Sequence, residues 1–294
     1  MAKIAFIGLG NMGGPMAANL VKGQHQVTAF DLSAAALDTA VEKGAKKAAS
    51  AAEAVKGAKI VVTMLPAGKH VRAVYENDVL PNVAKGTLLI DCSTIDVDSA
   101  RHVGELASKA GLEMVDAPVS GGVGGATAGT LTFMVGGTDG AFAMARPVLE
   151  KMGKNIVHTG APGSGQAAKI CNNMILGITM IGVAEGFLLG KRLGLDVQKL
   201  FDIVSTSSGS CWAVNNYLPL PGPVPTSPAN RDYQAGFTAD NMLKDLKLAQ
   251  QASQTSGAST PMGAEAAQLF NMFVNAGGGA KDFSGIIKML EGGK

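Results

Sequence analysis

Residues 8 to 13 read Gly8-Leu9-Gly10-Asn11-Met12-Gly13. The pattern G-x-G-x-x-G constrains a fold only in context. Here a short apolar run, Ile4–Ile7, precedes it and a segment of helical spacing, Met16–Lys22, follows. A strand that turns through glycine into a helix presents free N–H groups and a positive dipole end, a natural seat for phosphate. Gly8 serves the tight turn, Gly10 lets a pyrophosphate approach the backbone, and Gly13 lets helix and strand pack closely. Asp31 ends a second strand-like run, Gln26–Phe30, about 20 residues past the first glycine. A carboxylate there accepts hydrogen bonds from ribose hydroxyls and repels a 2′-phosphate. Leu32 and Ser33 offer no cation to hold such a phosphate. The expected cofactor is therefore NAD rather than NADP.

The same texture continues to residue 160. Further apolar runs occur at Lys59–Met64, Thr87–Asp91, Glu113–Asp116 and Leu131–Val135, with helix-spaced segments such as Ala34–Lys43 between. Strands alternating with helices predict a doubly wound parallel sheet of α/β class, and near-continuous apolar strands predict a sheet covered on both faces. Met64-Leu65-Pro66 and Cys92-Ser93-Thr94 end two of these strands, where ligands bind in open α/β sheets. After Gly160-Ala161-Pro162-Gly163-Ser164-Gly165 the strand signals stop. One long helix is expected over about 166–193, then helices at Asp196–Ser205, Ala239–Gln254, Met262–Asn275 and Phe283–Leu290. The expected domains are thus 1–162, which binds the dinucleotide, and 163–294, all helical. Five prolines fall within Leu218–Asn230, which reads as a surface connector or, less simply, a flap.

Composition narrows the class. Apolar residues at 47% and charged residues at 16% exclude a disordered chain. The net charge of +2 comes with no basic run, so no nucleic-acid partner is expected. The apolar stretch Met174–Leu189, interrupted by Glu185, falls short of the ~20 residues of a membrane span and reads as a buried helix. The start at Met1 runs directly into a strand, which leaves no room for a targeting peptide. Three unpaired-looking cysteines, Cys92, Cys171 and Cys211, suit a reducing, cytoplasmic setting, and Cys171 is expected as a packed thiol. His25, His70, His102 and His158 are too scattered for a metal site, so none is expected.

Lys169 is the residue best placed for chemistry. It lies in the first turns of the long helix, where the dipole disfavours a cation and favours the neutral amine. A neutral amine can take a proton from a hydroxyl. Asn173, four residues on, shares the helix face and can orient that hydroxyl without neutralising the lysine. Ser120-Gly121-Gly122 offers a hydroxyl and two unhindered N–H groups, a small receptor for a carboxylate.

Four segments in order, Phe6–Met16, Asp116–Gly122, Gly163–Asn173 and Lys244-Asp245-Leu246, resemble the β-hydroxyacid dehydrogenase family. Leu65-Pro66, Gly165–Asn173, Ser207–Gly209 with Cys211-Trp212, and Lys281-Asp282-Phe283 most resemble the members acting on 3-hydroxyisobutyrate. The resemblance implies a Rossmann domain joined by the long helix to an all-α domain, and a homodimer or homotetramer. By position it implies Lys169 as catalytic lysine with Asn173 as helper. It implies Ser120, Gly121, Gly122, Trp212 and Phe283 at the substrate. The cofactor would meet Gly8, Gly10, Asn11, Met12, Gly13, Asp31, Leu65, Pro66, His70, Thr94 and Lys244. Lys247 stands where the family commonly has glycine. The implied reaction is NAD-dependent oxidation of a small hydroxy acid in valine breakdown, with serine, glycerate (tartronate semialdehyde) and 4-hydroxybutyrate as alternative substrates. A non-catalytic NAD sensor would need the glycine motif but not Lys169, Asn173 or Ser120.

Overall fold

Ile4 and Phe6 pack into one apolar layer and Ala5 and Ile7 into another, so a single strand feeds two cores by simple alternation. That arrangement organises the whole first half of the chain. The computed structural model describes residues 1–292, so 293–294, the last positions of the expected helical domain, lie outside the described residues. The chain divides into two units, Met1–Lys169 and Ile170–Lys294.

The first unit runs β1 (Lys3–Ile7), α1 (Gly13–Lys22), β2 (Gln26–Phe30), α2 (Ala34–Glu42), β3 (Lys46–Lys47), α3 (Ala51–Val55), β4 (Ile60–Thr63) and α4 (Gly68–Val74). It continues with β5 (Leu88–Asp91), α5 (Val97–Lys109), β6 (Met114–Asp116), β7 (Val119–Ser120), α6 (Gly122–Ala128), β8 (Leu131–Gly136), α7 (Asp139–Leu149) and β9 (Gly153–Gly160). Strand order is β3-β2-β1-β4-β5-β6-β8-β7, with β9 against β8. All pairs from β3 to β6 are parallel, and β8 runs antiparallel to β6 and β7. Every residue of β4, β5 and β6 is buried, as helices on both faces require. The chain leaves β1 first toward β2 and later returns to β4 on its other side, so the topological switch point lies between β1 and β4.

Parallel register sets the level of the strand ends. Ile7 pairs with Phe30 and Thr63, Thr63 with Asp91, and Asp91 with Asp116. The residues that follow, beginning at Gly8, Asp31, Met64, Cys92 and Ala117, therefore form one rim. Serine, threonine and aspartate caps start the flanking helices: Ser33 on α2, Ser50 on α3, Asp96 on α5 and Thr138 on α7.

Helix α8 (Ser164–Arg192) begins in the first unit and continues into the second. Its 29 residues correct the expectation that the apolar stretch is too short to span a bilayer, since by length and composition the helix passes that test. Half of its most apolar window is buried inside the protein. Beyond it lie α9 (Val197–Val204), α10 (Trp212–Tyr217), α11 (Ala239–Ser256), α12 (Pro261–Phe273) and α13 (Ile286–Leu290). The proline-rich stretch is not a loose connector. Leu218, Leu220, Val224 and Ala229 join an apolar cluster with Phe187 and Ile287. Ser227 donates to the Leu218 carbonyl at 2.6 Å and Tyr233 to that of Pro219 at 2.9 Å.

Candidate active site

The rim starts at the glycine turn. Gly8 has φ +94°, and a Cβ there would collide with the backbone carbonyl of Met64, so only glycine fits. Gly10 differs: a Cβ there meets no protein atom within 4 Å, so protein packing does not require glycine at that point. A ligand lying against the backbone would. Asn11 is exposed, Met12 is half-buried against the core, and Gly13 opens α1. Asp31 ties the turn to the end of β2. Its Oδ2 accepts the Leu9 N–H at 2.6 Å and its Oδ1 accepts the Ser33 N–H at 2.7 Å. The residues present thus fit a dinucleotide: an open glycine backbone, a helix N-terminus and an anchored carboxylate.

Leu65 and Pro66 follow β4, and the Leu65 N–H donates to Ser93 Oγ at 2.8 Å. Thr94 is half-buried in the loop after β5, and His70 is exposed on α4. Beneath them lies a buried polar chain. Asp91 Oδ1 accepts from Thr63 Oγ1 at 2.7 Å and from Ser93 Oγ at 2.6 Å, and Thr63 also meets Tyr75 Oη at 3.1 Å. Burial pushes the Asp91 carboxyl up. Ser120 ends β7, and Gly121 and Gly122 have φ +132° and +61°, a glycine-only turn that leads into α6.

Asp116 ends β6 and holds the start of α8. Its Oδ1 accepts the Gly163 N–H at 2.7 Å and its Oδ2 the Gln166 N–H at 2.9 Å. Desolvation pushes its carboxyl up to about 7 from 3.8, against the pull of those N–H bonds. The folded state therefore keeps a proton that the unfolded chain has released. The stability that Asp116 contributes is full below 3.8 and is lost as pH rises through about 7. The thermal midpoint of the wild type relative to Asp116→Asn is expected to fall across that interval and then level off. A difference that does not vary with pH would contradict this.

Lys169 is 6% exposed and Asn173 is 2% exposed, one turn apart on α8. In the second unit, Asn173 Nδ2 donates to Asp245 Oδ2 at 2.5 Å, and Lys244 Nζ lies 3.4 Å from Asp245 Oδ1. Trp212 is half-exposed and stacks on Tyr217 at 4.9 Å. Tyr217 stacks on Phe283 at 5.4 Å, and Phe283 is itself buried among Phe237 and Phe270. Cys171, between Lys169 and Asn173, is exposed rather than packed: a two-residue step turns it to the outer side of the helix.

Sequence reasoning passed over Asp91, Asp116, Gln166 and Asp245. Each is an acid or amide at a strand end or helix face that becomes buried, and each meets at least one partner far away in the chain. The one available signal was an acid closing an apolar strand, as in Leu89-Ile90-Asp91 and Met114-Val115-Asp116.

Comparison with known proteins agrees with this geometry. Residues 3–160 match the model of the NAD binding domain of 6-phosphogluconate dehydrogenase. Residues 163–290 match the model described as NAD-binding of NADP-dependent 3-hydroxyisobutyrate dehydrogenase. The chain is 53% identical to 3-hydroxyisobutyrate dehydrogenase of Pseudomonas aeruginosa, over 99% of each chain. It is 50% identical to NAD-dependent L-serine dehydrogenase of the same organism, over 99% of this chain and 98% of that one. A solved structure of Mycobacterium tuberculosis 3-hydroxyisobutyrate dehydrogenase with L-serine superposes with a TM-score of 0.95, at 50% identity and 99% coverage of both chains. The chain belongs to the 3-hydroxyisobutyrate dehydrogenase family, oxidoreductases built on an NAD-binding Rossmann domain.

Proposed function

We propose that this enzyme oxidises 3-hydroxyisobutyrate to methylmalonate semialdehyde with NAD, a step of valine breakdown, with Lys169 as the acid–base group. The observation that carries the reading is a buried lysine on a helix whose first turn is held by the same segment, Asp116–Gly122, that bears the carboxylate receptor. Ser120 Oγ and the amides of Gly121 and Gly122 bind the substrate carboxylate. Lys169 takes the hydroxyl proton in oxidation and returns it in reduction. Asn173, fixed by Asp245, orients the hydroxyl. When bound, NAD would supply the hydride acceptor. Gly8, Gly10, Asn11, Met12 and Gly13 would hold its pyrophosphate and Asp31 its ribose, with Leu65, Pro66, His70 and Thr94 along the same rim. Residues 1–162 form the NAD-binding domain and 163–294 the helical one. In the helical domain Lys244 is the cofactor candidate and Trp212 the substrate candidate, with Phe283 backing it through Tyr217.

Serine is the second substrate that specific observations favour, through the serine-dehydrogenase relative and the solved relative with L-serine. The test is nicotinamide reduction with 3-hydroxyisobutyrate, 3-hydroxypropionate, serine, glycerate and 4-hydroxybutyrate, each with NAD and NADP. The highest kcat/KM is expected for 3-hydroxyisobutyrate with NAD. A serine preference would keep the chemistry and change the substrate, and no reduction at all would end the dehydrogenase reading.

The enzyme is cytoplasmic and self-associates as a homodimer or homotetramer in this reading. Free Cys92, Cys171 and Cys211 suit a reducing compartment. Ile175 and Leu189, about 60% exposed, share one face of α8 about four turns apart, with exposed Gly182 and Gly186 between them, a surface suited to a second copy.

A further inference from the structure

Gln166 is completely buried at the start of the helix that carries Lys169, and its side chain leaves that helix altogether. Its Nε2 donates to the Ser93 carbonyl at 2.8 Å, and its Oε1 accepts the Ile95 N–H at 3.1 Å. The two bonds grip the backbone on either side of Thr94. We propose that Gln166 is a positioning residue that registers the Lys169 helix to the Ser93–Ile95 loop, so that the proton-transfer group and this part of the rim are held as one rigid piece. The inference rests on Lys169 being the acid–base group.

The chemistry of the grip is specific. The Ser93 carbonyl can only accept and the Ile95 N–H can only donate. A primary amide supplies one donor and one acceptor in a single plane. An ionised glutamate satisfies Ile95 and sets a lone pair against the Ser93 oxygen, and methionine fills the space and satisfies neither. An apolar residue would serve packing alone, so the buried amide contributes orientation that burial does not.

Both ends of the grip are themselves fixed. On the helix side, the Gln166 N–H donates to Asp116 Oδ2. A Cβ at Gly165 would meet the carbonyl oxygens of Met134 and Asp116, so the helix start sits directly on β8 and the end of β6. On the loop side, Ser93 Oγ donates to Asp91 and accepts from Leu65, which joins the loop to the end of β4. Lys169 lies three residues past Gln166, less than one helical turn away, so a tilt of the first turn carries the amine with it. A misplacement of about 1 Å at a reacting group costs about 10²-fold in rate.

The test uses the full-length enzyme and the variants Gln166→Met, Gln166→Glu and Lys169→Ala. Gln166→Met is expected to lower kcat for 3-hydroxyisobutyrate oxidation by about 10–10²-fold. KM and the NAD dissociation constant should stay near wild type, and the Ile95 amide should exchange hydrogen faster. In Gln166→Glu the deficit should shrink as pH falls, because a protonated carboxyl again donates to the Ser93 carbonyl. That trend opposes the rise with pH expected of the wild type, in which only the neutral Lys169 amine accepts the hydroxyl proton. Should Gln166→Met fail to fold, this pH trend decides alone. Wild-type kcat in a folded Gln166→Met, or a Gln166→Glu to wild-type ratio that is flat with pH, overturns the inference. Near-normal turnover in Lys169→Ala overturns the reading of Lys169 and this inference with it. Loss in Lys169→Ala with no loss in the Gln166 variants overturns the inference alone.

Discussion

Replacing Lys169 by alanine should lower the oxidation of 3-hydroxyisobutyrate by about 10²–10⁴-fold, the usual contribution of a positioned acid–base group, and leave NAD affinity unchanged. The two effects separate because Lys169 stands on α8, whereas the residues assigned to NAD follow β1, β2, β4 and β5, with His70 on α4 and Lys244 on α11. The sign of the pH dependence is a second reading of the same group. Only the neutral amine accepts a proton, so oxidation should quicken as pH rises and the alanine variant should lose that slope. Lys169→Arg makes the test sharper. Guanidinium keeps the positive charge and much of the volume but stays protonated throughout the accessible range. It should fail in oxidation as badly as alanine. If arginine supports near-normal oxidation, the lysine acts by charge alone and proton transfer belongs to another group. Initial rates of NADH formation across pH, with NAD binding followed separately, decide this.

What could be read from the sequence is what depends on near neighbours. Gly8–Gly13 lies between its own strand and helix, and Asp31 ends the next strand, so short-range spacing already fixed their level on the rim. Lys169 and Asn173 share one helix and need nothing but its period. The missed strands failed for a local reason. β3 is two lysines, β7 is two residues, and β9 is an edge strand, largely half-buried or exposed, without an apolar run. The proline-rich stretch reads as a surface connector because proline marks a break in regular structure and says nothing about burial, yet Leu218, Leu220 and Val224 within it are core residues. The buried polar links were hidden for a different reason. Gln166 meets Ser93 and Asp116 meets Gly163 across long stretches of chain, and no local period encodes the partner of a buried amide or acid. These links belong to the sheet register, which aligns Asp91 with Asp116.

Exchanging Asp31 for serine together with Leu32→Arg should reverse the cofactor preference toward NADP, and the structure also sets the cost of that reversal. Leu32 is 95% exposed, so an arginine there enters solvent without displacing packed atoms. It would present a cation beside the ribose where the wild type has a carboxylate. Losing a charge-assisted hydrogen bond and gaining another are each worth about 1.5–3 kcal/mol, so the ratio of kcat/KM for NADP over NAD should rise by about 10²–10⁴-fold. The double variant should nevertheless stay below the wild-type enzyme working with NAD. Asp31 does more than face a ribose: its two oxygens hold the Leu9 and Ser33 amides, and the Leu9 bond ties the glycine turn to β2. Serine is too short to replace both, so the turn that seats the pyrophosphate loosens for either cofactor. Asp31→Asn separates the two effects, since it removes the charge and keeps the reach. It should weaken the discrimination against NADP while disturbing the turn less than serine does. An unchanged NADP-to-NAD ratio in the double variant would mean that Asp31 serves the turn alone and that cofactor choice is made elsewhere on the rim.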